Sequence, residues 1–288
     1  MITELAQLLI NGLLSGAMLA VPAIGFTTIY AVLRFPNFAV ASLMTIGAYA
    51  GFVANVFFHL PAAPSLFAAF IVAGGFGVLG DEVVLRRLRP AGPVTMAIAS
   101  VALTIVLENV VRFAFGNDLR GYDLPVLRDW RFFGLRVGPQ ELRNAVAAGI
   151  AMAALFLFLA FTRTGKMMRA VADNPTLAAL KGINADTVAR LASFVGMGLA
   201  GFGGMLLGLD TSIDPLTGFR VVLSVFAAAV VGGLGSIPGA VAGAFVIGIG
   251  EEFSLVVLDP SYRSAVGFFA ILAVLSLRPR GLLGERAY

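Results

Sequence analysis

The sequence has no cysteine, a single histidine and a single tryptophan, and only 12% of its 288 residues are charged. Without cysteine, neither disulfides nor thiol–metal chemistry is available. The lone histidine, His59, sits at the edge of an apolar run and reads as an interface residue rather than a metal ligand. No G-x-x-x-x-G-K-[ST] occurs, since Gly165–Lys166 is followed by Met167 and lacks the earlier glycine. ATP is therefore not held by a P-loop in this chain. G-x-S-x-G and H-E-x-x-H are missing too, which leaves an enzymatic reading without a constellation. Basic residues do not cluster on one face, so nucleic acid is not an expected partner. Met1–Gln7 carries Glu4 but no Lys or Arg, so the basic start of a cleaved secretory signal is not seen.

What fills the chain instead is apolar. Hydrophobic residues make up 59% of it, and the mean hydropathy is +0.95. That composition predicts an all-α, polytopic membrane protein in one transmembrane domain over residues 1–288. Apolar runs at Leu5–Leu33, Ala39–Phe58, Ser65–Val84, Pro93–Phe115, Ala145–Phe161, Val188–Leu209, Phe219–Val231, Ala240–Leu258 and Ser264–Leu277 give about nine crossings of a core roughly 30 Å thick. Pro22 and Gly25 are expected to bend the first. The polar stretch 116–140 holds Trp130 and the alternating FFGLRVG, a signal for a short hairpin.

A second polar stretch, within 162–187, has the markings of a short helix off the membrane. Asn174 can cap free N–H groups, Pro175 suits the first helical position, and Asp173 sits near the positive dipole end. Gly182 supplies a left-handed position after the last turn, with Lys181 beside the negative end. The helix is expected to present Pro175, Leu177, Ala178 and Leu180. So short a helix is marginal alone and reads as a peg for a cytoplasmic partner. Placing this stretch, Arg86–Arg89, Arg278, Arg280 and Arg286 on one side puts most basic charge in the cytoplasm, with the C-terminus inside and 116–140 outside.

Two interruptions fall between apolar segments. Arg34–Ser42 breaks the pattern after the first run, and Val231–Ala240 packs four glycines around Pro238. There Pro238 is read as a helix breaker, and Gly235, Gly239 and Gly243 as a packing face at i+4 spacing. Unwound backbone at membrane depth is tolerated where it lines a cavity or is buried in protein. The polar candidates for a path are Asn37, Ser42 and Thr45 near the first break, Ser224, Gly235 and Ser236 near the second, and Glu108 inside the fourth run. Glu251 and Glu252 are expected in an interhelical hydrogen bond or at a membrane boundary.

Three segments resemble the membrane permease of branched-chain amino acid ABC importers and its amino acid, amide and urea relatives. They are NGLLSGAMLAVPAIGFTTIYAVLRFPNFAVASLMTIGAY with its Asn37–Phe38–Ala39 triplet, the stretch ending Lys181–Gly–Ile–Asn184, and AAVVGGLGSIPGAVAGAFVIGIGEE. The second is similar to the EAA loop that docks into an ATPase subunit. The resemblance implies a type II importer permease fold in a bacterial inner membrane. It also implies a second homologous permease (as homodimer or heterodimer), two cytoplasmic ATPases that bind the ATP, and an extracytoplasmic binding protein. Asp173, Asn174, Pro175, Leu177, Leu180, Lys181 and Gly182 would then form the ATPase-coupling element. Many relatives carry His–Gly–acid after the triplet, whereas Val40–Ala41–Ser42 stands here, which leaves the substrate open. The competing class is a secondary transporter or channel for small apolar solutes; it predicts transport by this chain alone and a charged midplane cluster, which the sequence does not offer.

Overall fold

The computed structural model describes residues 2–125, 128–132, 134–256, 259, 262–278 and 280–284. Met1, Phe133, Leu258 and Arg286, on which parts of the sequence reading rest, lie outside the described residues. Among the described residues, seven helices are long and apolar enough to cross a membrane, and two shorter apolar ones accompany them at Thr217–Gly232 and Ala265–Leu277. These nine correspond to the nine apolar runs.

The chain starts with α1 (Ile2–Leu33), helical straight through Pro22, and turns at Arg34 (φ 58°) into α2 (Val40–Phe52). A π-helical turn, Val53–Phe57, ends α2. Next come α3 (Ala62–Gly80), a second π turn at Asp81–Leu85, and the one-turn α4 (Arg86–Leu88). Gly92 at φ 94° stops this run, and Pro93 in the first turn starts α5 (Pro93–Phe115), whose ring cannot donate where no donor is needed. The expected hairpin is present as β1 (Trp130–Phe132) and β2 (Leu135–Val137), with Trp130 opposite Val137. Then follow α6 (Pro139–Phe161), α7 (Arg163–Asp173), α8 (Pro175–Leu180) and α9 (Ala185–Asp210). The chain closes with α10 (Thr217–Gly232), α11 (Ile237–Ser254) and α12 (Arg263–Leu277).

The interior is built on α9, against which α1, α2 and α3 all pack, while α11 lies along α1 and pairs with α10. Such proximity needs small residues. A Cβ on Gly47 would stand 2.2 Å from the Gly201 Cα, and one on Gly201 would stand 2.2 Å from the Ala73 Cβ. Backbones in apolar surroundings associate through close contact of this kind, since the hydrophobic effect offers little there.

Long-range hydrogen bonds define two ends. At one, Gln7 Nε2 donates to the Arg136 carbonyl at 2.7 Å, and Arg120 exchanges backbone bonds with Ile213 at 2.8 and 2.9 Å. At the other, Arg34 donates to the Ala172 carbonyl, and Asp186 takes Arg86 and Arg89, each at 2.9 Å. The 116–140 loop therefore marks one end and the 162–187 stretch the opposite one.

The structure corrects the reading of the glycine-rich turn. Gly233 (φ 110°) ends α10, and Pro238 lies in the first turn of α11, so it starts a helix rather than breaking one. Gly239 and Gly243 do pack closely, on the Gly232 and Ala228 carbonyls. Gly235 (φ 92°) has no described atom within 4 Å of where a Cβ would stand, and belongs to the turn, not the packing face. The C-terminal segment docks here as well: Leu282 N–H donates to the Val231 carbonyl at 2.8 Å and Leu283 N–H to the Gly232 carbonyl at 2.9 Å.

Candidate functional site

The stretch between α6 and α9 folds as its residue types dictate. Thr162 caps α7 by accepting from Gly165 N at 2.9 Å, Asn174 caps α8 by accepting from Leu177 N at 2.9 Å, and Asn184 caps α9 by accepting from Asp186 N at 2.9 Å. Three side-chain caps in succession let the backbone change direction sharply without leaving N–H groups unsatisfied. Lys181 closes α8, its N–H donating to the Leu177 and Ala178 carbonyls, and Gly182 follows at φ 80°. Asp173 is exposed and forms the last residue of α7, immediately before the α8 cap.

The α8 side chains divide by face. Leu177 is 55% and Leu180 80% exposed, and Pro175 is exposed beside them, whereas Ala178 is only 4% exposed. The expectation that Ala178 faces outward is thereby corrected. It turns inward because the six-residue helix rests that side on its own chain, and the Ile183 N–H donates back to its carbonyl. Below α8, α7 buries Gly165, Met168 and Val171 and exposes Arg163, Lys166 and Arg169. Arg34 ties the end of α1 to α7 through the Ala172 carbonyl, and Asp186 ties the start of α9 to Arg86 and Arg89. These bonds tie the stretch around α8 to the ends of α1 and α9 and to α4.

The other candidate region is the unwound segment Arg34–Ala39. Its exposed backbone groups are answered by α5: Ser100 Oγ accepts from Phe38 N at 2.9 Å, and Thr104 Oγ1 donates to the Phe38 carbonyl at 3.0 Å. Within the segment, Asn37 Oδ1 accepts from Ala39 N and Ser42 Oγ donates to the Ala39 carbonyl. Thr45 Oγ1 accepts from Gly218 N at 3.0 Å. That bond places the start of α10 against the interior of α2, so a second irregular segment, Thr211–Leu216, enters between helices. A capped turn holds it, with Thr217 Oγ1 donating to the Asp214 carbonyl at 2.8 Å.

Asn37, Ser42 and Thr45 are thereby brought together, and all three are buried. Glu108 lies one turn beyond Thr104 on the same face of α5; it is 7% exposed, and its Oε1 has no hydrogen-bond partner among the described residues. Ser224 stands apart, donating to Glu251 on α11, an interhelical bond of the expected kind. Gly235 and Ser236 are separate again, at the α10–α11 turn, where Ser236 Oγ accepts from Gly239 N at 3.2 Å. Ser100 and Thr104 escape the sequence reading, although hydroxyls at i and i+4 in an apolar helix were the available signal. At the loop end Tyr122 reaches in to donate to the Ala48 carbonyl at 2.8 Å. Burial pushes its phenol above the ordinary value, so it stays a neutral donor.

A family model described as branched-chain amino acid transport system / permease component matches residues 8–275. The chain is 32% identical to the high-affinity branched-chain amino acid transport system permease protein BraD of Pseudomonas aeruginosa, over 97% of this chain and 95% of that one. It is 32% identical to the corresponding protein LivH of Salmonella typhimurium, with the same coverage of 97% and 95%. Among solved structures, a chain of PsaBC from Streptococcus pneumoniae, determined in complex with Fab, superposes with a TM-score of 0.51 at 16% identity over 97% of both chains. That last likeness concerns the fold alone.

Proposed function

Because the chain belongs to the branched-chain amino acid transport permease family, we propose that it is the membrane-spanning permease of an ABC importer for branched-chain or other hydrophobic amino acids. It works as a multi-pass inner-membrane subunit and is not itself an enzyme. In this reading it binds no cofactor; ATP is bound and hydrolysed by two cytoplasmic partner subunits. A second, homologous permease completes the path, and an extracytoplasmic binding protein delivers the solute to the 116–140 end. The 162–187 end and the C-terminus face the cytoplasm.

The observation that carries the reading is α8: two large apolar side chains, Leu177 and Leu180, stand exposed on a helix of six residues that is capped at both ends. A segment so short gains little from its own hydrogen bonds, and apolar side chains held this far out gain from a partner that covers them. Closure of the ATPase pair on ATP would push α8. The push reaches α1 through Arg34 and Ala172, and α4 and α9 through Asp186, and the core tilts between inward- and outward-open states. Backbone groups at the two irregular segments suit the charged head of a small solute, and the glycine, alanine, valine and phenylalanine around them suit its apolar portion.

The test is parallel measurement of uptake and ATPase co-purification in Leu180→Asp and Gly182→Val. Both variants are expected to insert normally yet to lose transport and the ATPase subunit together. Valine is strained at φ 80°, and aspartate places charge on the covered face. Wild-type uptake and co-purification in both variants would remove α8 as the coupling element.

A further inference from the structure

At the loop end, away from α8 and next to the Thr211–Leu216 segment, the chain forms a half-open cavity of about 460 Å³. It lies between the α2–α3 turn, residues 123–125, the first two turns of α6 and the last turn of α9. Its size falls in the range of small-ligand sites, about 300–1,000 Å³.

Three ionisable side chains line it from three different elements: His59 from the turn, Asp123 from the loop and Arg143 from α6. None of the three forms a salt bridge or a side-chain hydrogen bond among the described residues. Most of the remaining lining is apolar, with Leu66, Ala147 and Leu209 on the walls. A purely anionic ligand would meet the Asp123 carboxylate, and a purely cationic one the Arg143 guanidinium. The charge pattern complements a zwitterion that carries an apolar part.

The depth of the cavity narrows the choice. Phe57 and Phe58, next to His59 in sequence, are 63% and 71% exposed, and Phe67 on α3 is 66% exposed. Such rings suit lipid, while the polar Gln140, Arg143 and Asn144 precede the apolar part of α6 that begins at Ala145, so the boundary between hydrocarbon and headgroups falls at this level. The cavity therefore lies at headgroup level, and its walls lead between α3 and α6, which both pack on α9.

We propose that this cavity is a specific site for a phospholipid with a zwitterionic phosphoethanolamine head. The Arg143 guanidinium and the His59 imidazole take the phosphodiester oxygens, the Asp123 carboxylate takes the ammonium, and an acyl chain runs past Leu66 and Ala147. The site is distinct from the coupling surface and does not depend on the transport reading.

The experiment uses the full-length protein, purified in mild detergent, with native mass spectrometry to count retained lipid. The protein is then exchanged into nanodiscs of phosphatidylglycerol containing either phosphatidylethanolamine or phosphatidylcholine. One phosphatidylethanolamine per chain is expected to persist, held more tightly than phosphatidylcholine, whose quaternary head has no N–H to donate to Asp123. Arg143→Gln and Asp123→Asn should each weaken retention about tenfold, the scale of one charged hydrogen bond, and Arg143→Lys should keep most of it. Elution profile and thermal unfolding in phosphatidylglycerol alone establish that the variants are folded. If a variant fails that control, titration of phosphatidylethanolamine against the unmodified protein decides, with saturation at one per chain expected. Retention unchanged in both folded variants, preference for phosphatidylglycerol, absence of a saturable site, or displacement of the lipid by free leucine would each overturn the proposal.

Discussion

Replacing Gly47 by alanine tests the central packing of α2 on α9. The added Cβ would stand 2.2 Å from the Gly201 Cα and 2.5 Å from its carbonyl carbon and oxygen, where ordinary contact begins near 3.4 Å. The obstacle is backbone, which has no rotamer to change. Relief therefore requires the two helices to part by about 1.2 Å, the difference between those distances. Overpacking typically costs about 1–3 kcal/mol, and a clash between main chains belongs at the upper end. The parting also strains the neighbouring bond from Gly218 N to Thr45 Oγ1. Against this stands the intrinsic gain of alanine over glycine in a helix, up to about 1 kcal/mol, leaving a net loss of about 2 kcal/mol. At about 2–4 °C per kcal/mol for a chain of this size or somewhat smaller, thermal unfolding should fall by about 4–8 °C. Gly75→Ala on α3 is the control, since nothing lies within 4 Å of its Cβ position; it should unfold at or slightly above the unmodified temperature. Both variants are measured in the same detergent by intrinsic fluorescence or by loss of monodisperse protein on heating. Unfolding temperatures for Gly47→Ala and Gly75→Ala within about 1 °C of each other would refute the close-packing argument.

Three further outcomes are expected. Arg89→Ala should cost about 3 kcal/mol, because it strips the buried Asp81 of its guanidinium at 2.7 Å, while Arg86→Ala, whose pairs are solvent-screened, should cost under about 1 kcal/mol; chemical denaturation compares them, and equal losses would count against a buried pair. Thr104→Val should destabilise by about 1–2 kcal/mol by leaving the Phe38 carbonyl without its donor, as judged by thermal unfolding against Thr95→Val, whose hydroxyl bonds only within its own exposed turn. Since the chain has no cysteine, Leu119→Cys should react with an impermeant thiol reagent in intact cells and Thr176→Cys only after permeabilisation; the opposite pattern would reverse the orientation.

The helices were legible because hydrocarbon imposes a simple rule on them: every crossing must be apolar and long. All nine apolar runs became helices, with ends moved by a few residues. The α6 helix begins at Pro139 rather than Ala145 because Gln140, Arg143 and Asn144, too polar for an apolar run, lie at the cavity end of the same helix. The α8 region was legible for a different reason. Capping is local, and Asn174, Pro175 and Gly182 act within one turn of where they stand. The start of α10 against Thr45 was hidden because it depends on a bond across 173 positions, for which Thr211–Leu216 carries no local mark beyond being polar. The π turns at Val53–Phe57 and Asp81–Leu85 were hidden likewise. Each inserts a residue into a helix whose composition gives no sign of it, and each is set by what the turn meets in three dimensions. The paired arginines on Asp186 have the same long-range origin.

The bonds from Leu282 and Leu283 to the Val231 and Gly232 carbonyls bear on the order in which the molecule is made. Synthesis delivers α10 and α11 to the bilayer before its last residues exist, so for about fifty residues of elongation two carbonyls at the end of α10 await their donors. A chain made only as far as Leu277 already carries every apolar helix of the described residues, yet that corner is still open. The segment that follows α12, rather than α12 itself, supplies the donors that close this corner.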